Sequence, residues 1–68
     1  MNIEQLRQAL KANELETVKG ELVRYGTVLG LHDWESWKGC HRLYIIKHAG
    51  AMFVVGMLNG NTTSVKEQ

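Results

Sequence analysis

The sequence predicts an α+β domain: an N-terminal amphipathic helix packed on a three- to four-stranded antiparallel β-meander. Three observations carry this reading. Apolar residues recur at helical spacing from Ile3 to about Ala12. Two apolar runs rich in strand formers, Leu43–Ile46 and Met52–Leu58, are separated by a break at Ala49-Gly50-Ala51. Asn59-Gly60 then supplies a dipeptide suited to the tight I′ hairpin turn, because both residues tolerate positive φ.

The helix has its own start and stop signals. Asn2 is a good N-cap, and Gln5 stands where the partner of a capping box belongs. Ile3, Leu6, Ala9 and Leu10 form one stripe, with Glu4, Arg7, Gln8 and Lys11 on the other face. Asn13 can end the helix in a left-handed conformation. A single helix this short has to pack on something to persist.

Glu14 to Tyr25 reads two ways. Leu15, Val18, Leu22 and Tyr25 fit a helix stripe, while Leu22, Val23, Tyr25, Val28 and Leu29 suit a strand. Gly20, Gly26 and Gly30 weigh against a long helix, each costing about 1 kcal/mol relative to alanine in a helix interior. The preferred reading is a strand from Glu21 to Leu31, bent or bulged near Gly26. The rival is a second helix ending near Arg24. Downstream, Leu43–Ile46 and Met52–Leu58 form a hairpin, and Thr62–Lys66 adds a short polar edge strand.

Composition narrows the function. Sixty-eight residues make one domain, residues 1–68, with a small core and marginal stability. Cys40 is the only cysteine, so no disulfide forms within the chain, and a reducing compartment is the simplest fit. The formal charge of +1 gives no bulk attraction to phosphate or anionic lipid. No signal-peptide pattern opens the chain, and the apolar run Ala49–Leu58 is too short to span a bilayer. A soluble, cytoplasmic protein is expected. With 44% hydrophobic residues, the chain should fold rather than stay disordered.

His32–Arg42 concentrates the unusual residues: both tryptophans, the only cysteine, the only aspartate and two of the three histidines. Enzyme chemistry is not expected from it. Cys40 and His41 are adjacent, whereas a nucleophile and its base usually come from distant parts of a chain. His32, Asp33, Cys40, His41 and His48 are possible metal ligands, yet they form neither a CxxC nor an HxxxH pair. The glycines do not form a GxGxxG or Walker pattern. No cofactor or metal is therefore expected.

Recognition remains. Trp34, Trp37, Lys38, Arg42 and Tyr44 are the candidate partner-binding residues. Tryptophan and arginine are enriched at interface hot spots. Trp34 and Trp37 are spaced to share one face if the segment is a loop or a helical turn. A core-capping role competes for both indoles. The strands offer a second surface, since Leu43–Ile46 and Met52–Leu58 are apolar in both alternating registers and need cover on both faces. Met52 and Met57 suit an adaptable contact there.

The function that follows is a non-enzymatic protein-binding module, a regulator or inhibitor occupying a surface of a larger protein, with a homodimer through the sheet as a further possibility. The alternative is a nucleic-acid-binding protein that uses the same aromatic and basic patch. No membrane partner is expected.

Overall fold

The computed structural model describes every residue from Met1 to Gln68. Two helices, α1 (Ile3–Lys11) and α2 (Leu15–Tyr25), precede four strands: β1 (Thr27–Ser36), β2 (Gly39–His48), β3 (Ala51–Leu58) and β4 (Asn61–Glu67). The strands form one open antiparallel sheet in the order β1-β2-β3-β4. The α+β class and the meander are those the sequence predicts.

The start of α1 is fixed by a reciprocal capping box. Asn2 Oδ1 accepts from the Gln5 amide at 2.8 Å, and Gln5 Oε1 accepts from the Asn2 amide at 2.9 Å. Asn13, at φ 58°, takes the left-handed conformation just past the end of the helix. Asn59 and Gly60 lie at φ 50° and 84°, as a I′ turn demands.

Leu15–Tyr25 corrects the preferred strand reading of Glu21–Leu31. It is a helix that ends at Gly26, and the strand begins only at Thr27. The bulge lies between Val28 and Gly30 rather than at Gly26. Burial decides between the two periods. Val18 and Leu22 are fully buried, one turn apart, in a cluster with Leu6, Ile46, Phe53 and Val55. Leu15 packs against the same cluster, and Leu15 and Val18, three residues apart, share a helix face but would fall on opposite faces of a strand.

Gly20 sits on the solvent side of α2, where an added Cβ would meet nothing within 4 Å. Its cost is therefore purely conformational. Gly20→Ala is expected to stabilise the domain by about 1 kcal/mol. That raises the melting temperature by roughly 4–8 °C for a domain of this size, read by circular dichroism. An unchanged or lower melting point would contradict an exposed, helical Gly20.

Only one sheet face is covered. The core lies between the helices and Ile46, Phe53, Val55 and Val65. Arg7 clamps the two layers by pairing both carboxylate oxygens of Glu67, at 2.9 and 2.8 Å. This bond holds the Glu67 carboxyl below the usual carboxylate range. The N-terminal ammonium likewise lowers Glu21, which also lies 3.1 Å from His48 Nε2 at the end of β2. Helix α2 packs mainly over β4 and β2, leaving β1 overhanging. Val28 and Leu31 stay more than half exposed on that overhang.

Candidate functional site

Strand alternation sorts the His32–Arg42 segment onto different surfaces. Trp34 lies opposite His41, and Asp33 lies opposite Arg42, in the β1–β2 ladder. Residues directly opposite share a face, and successive residues alternate. Tyr44 and Ile46 point toward the helices, so Leu43, Ile45 and His41 point away. The face turned from the helices, here called the open face, carries Trp34, Leu43, Ile45, Met52 and Val54 across three strands. No element of the chain covers it.

One end of this face is aromatic. The Trp34 indole stacks on the His41 ring with centroids 5.1 Å apart and planes 6° from parallel. His32 approaches the same indole at 5.6 Å, tilted by 42°. Each ring holds its neighbour's orientation, so the indole is offered as a rigid plate. Trp34 is still 41% exposed, and Ile45 at 36% and Met52 at 38% lie further along the same face. Opposite Ile45, Gly30 lacks a side chain, and a shallow depression of about 370 Å³ opens, lined by Gly30, His32, Leu43, Ile45, Val54 and Gln68 among others.

The five candidate contact residues do not form one surface. Trp34 belongs to the open face. Trp37 and Lys38 form the two-residue turn between β1 and β2, with Trp37 90% exposed and the Lys38 ammonium 5.1 Å from its ring centre. Arg42 and Tyr44 lie on the helix side, where Tyr44 packs against the core. Arg42 pairs with Asp33 at 3.1 Å and donates to the Tyr44 hydroxyl at 3.4 Å. The Tyr44 bond and then the Asp33 charge raise the Arg42 pKa above its ordinary value. Trp34 lies in β1 and Trp37 in the following turn, so the condition under which their spacing would align both indoles, a loop or a single helical turn, is not met. Met57 also leaves the shared contact with Met52, since it faces the helix side and packs on the core.

The possible metal ligands are dispersed by the same alternation. His32 and His41 are on the open face, Asp33 and Cys40 on the other, and His48 is held at Glu21. No three His, Cys, Asp or Glu side chains gather closely enough to hold a metal ion. Ser36 Oγ lies 3.0 Å from His41 Nε2, a distance at which a hydroxyl and a base can exchange a proton. The same oxygen accepts from the Lys38 amide at 3.2 Å, which makes Ser36 a cap of the turn. Trp34 covers one face of the imidazole, and no carboxylate hydrogen-bonds to its ring.

No family model, curated protein or solved structure matches this chain. The geometry alone therefore bears on function. No helix is long and apolar enough to cross a membrane.

Ile45, Val54 and Met52 matter more to this surface than the tip residues singled out by type. Their signal is present in the sequence as strands apolar in both registers. It identifies a surface only once the pairing of β1, β2 and β3 is known.

Proposed function

We propose that this protein is a non-enzymatic protein-binding module that regulates or inhibits a larger protein by occupying its surface, in the cytoplasm where its lone Cys40 stays reduced. The open face is the contact. The observation that carries the reading is the row of exposed Trp34, Ile45 and Met52 along a sheet face that no helix covers, while the other face is packed except along β1. An aromatic anchor and adaptable aliphatic groups on one uncovered face are the composition of an interface. The turn residues Trp37 and Lys38 border this surface at one end. Arg42 and Tyr44 reach a partner only if it wraps around the β1–β2 hairpin.

The competing nucleic-acid reading asks for phosphate contacts along the face. Its middle is Leu43, Ile45 and Val54, which give phosphates nothing to pair with. Salt dependence separates the two readings, because phosphate contacts weaken steeply with salt.

The test is native mass spectrometry of the protein isolated from its own host, then affinity measurements with the partner found. A stoichiometric protein partner retained at high salt is expected. Trp34→Ala should weaken it by about 2 kcal/mol or more, roughly 30-fold. Trp37→Ala should do less, and the double variant should abolish binding with the fold intact. Unchanged affinity in Trp34→Ala, or recovery of nucleic acid alone, would overturn the reading.

A further inference from the structure

The chain's charges are segregated by face. All seven Asp and Glu side chains lie off the open face, although the terminal Gln68 lines its depression. Glu4, Glu14, Glu16 and Glu21 belong to the helices or the link between them. Asp33 and Glu35 lie opposite Arg42 and Cys40 on the helix side of the sheet, and Glu67 reaches Arg7 there. The open face instead carries Lys47, opposite Met52, and Lys66, opposite Val54. Both are exposed, and neither makes an ion pair within the chain. Four of the carboxylates are already paired with cations of the chain itself.

We infer that the open face selects an acidic protein segment, one whose apolar side chain enters the depression at Gly30 while its carboxylates meet Lys47 and Lys66. The inference rests on the protein-binding reading above and adds the partner's chemistry. Complementary charge at an interface rim speeds encounter and rejects wrong partners more than it adds affinity. Two unpaired lysines at one end of an apolar plate are placed for that role. The far end, at Trp34 and His41, lies about 20 Å away along β2 and contributes mainly aromatic contact area, bordered by Lys38 of the turn.

A second copy of the chain fits poorly. Two open faces brought together would set lysines from both copies around one apolar layer with no Asp or Glu side chain to receive them. The protein's own acids remain on the helix side, out of reach. A nucleic acid would find Lys47 and Lys66 at one end and Lys38 at the other, with aliphatic side chains between them where its phosphates must run.

The test uses two synthetic helical peptides, each with one leucine stripe, bordered by glutamates in one and by lysines in the other. Amide shifts in the ¹⁵N-labelled protein and stopped-flow fluorescence of the Trp37→Phe variant, in which Trp34 is the sole indole, report binding. The glutamate peptide is expected to shift Ile45, Val54 and Lys66 and to associate about tenfold faster than the lysine peptide at low salt. Lys47→Glu with Lys66→Glu should reverse that order while leaving the circular dichroism spectrum unchanged. Equal binding of both peptides would overturn the charge selection and leave the protein-binding reading standing. Binding of neither at millimolar concentration would sink both. Tighter binding of oligothymidylate than of the glutamate peptide, or a dimer in sedimentation, would replace the acidic segment with a different occupant.

Discussion

Gly26→Ala should be among the most damaging single substitutions in the chain. The backbone at Gly26 is extended, at φ −83° and ψ 171°, so alanine meets no torsional objection. The objection is space. An added Cβ would lie 2.5 Å from Ile46 Cγ2, 2.5 Å from the Leu22 carbonyl oxygen and 3.2 Å from the Lys47 carbonyl oxygen. Two of these atoms are backbone, and the third belongs to a fully buried side chain. Relief requires moving the end of α2 away from β2, which opens the core where Leu22 meets Ile46. Overpacking of a well-filled core costs about 1–3 kcal/mol and occasionally more, and this site belongs at the upper end. A domain of 68 residues has about 3–10 kcal/mol in total. Urea unfolding should show the loss of most or all of the folded baseline. Its contrast is Gly20→Ala in the same helix, where the added methyl has open space and the sign is opposite. An unfolding curve matching the parent's would mean that α2 and β2 do not meet at this glycine.

These two glycines also mark where sequence reasoning runs out. Both weigh against a helix by composition, yet Gly20 lies inside α2 and Gly26 just after it. Local chemistry was legible wherever a signal is satisfied within a few residues. Asn2 with Gln5, Asn13, and Asn59-Gly60 each perform the role their residue types imply. Glu14–Tyr25 was ambiguous because its apolar residues satisfy both periods. The choice is made by Ile46 and Phe53, more than 20 positions away in sequence, which receive Val18 and Leu22. The candidate site was legible in part. Residue type singled out Trp34, and two-sided apolar strands signalled an uncovered face. Which residues share that face depends on register, since a one-residue slip would exchange Ile45 for Ile46. The segregation of carboxylates is invisible until strands are paired, because Asp33 and Glu35 flank Trp34 in sequence and leave it only by alternation.

That alternation makes Ile45 and Ile46 the sharpest comparison in the molecule. They are adjacent in β2, chemically identical and directed to opposite faces. Ile46 is fully buried under α2, beside Phe53, and Ile45 is 36% exposed on the open face. Ile46→Ala removes the same atoms as Ile45→Ala, but from the packed side, where about 2–5 kcal/mol is lost with the cavity left behind. In a domain this small that is enough to abolish a cooperative melt. Ile45→Ala should cost the fold less than about 1 kcal/mol, since part of the side chain already faces water and no closed cavity results. Its expected effect is on recognition, a loss of about 1–2 kcal/mol of affinity for the protein partner, read by titration with the fold checked by thermal melting. The pair thus separates the two faces by function at a single step of the chain. Equal destabilisation by both would mean that the open face belongs to the core and that its exposure serves no partner. An Ile45→Ala variant that folds and binds as the parent does would remove the open face as the contact and leave the Trp37–Lys38 turn as the surface to pursue.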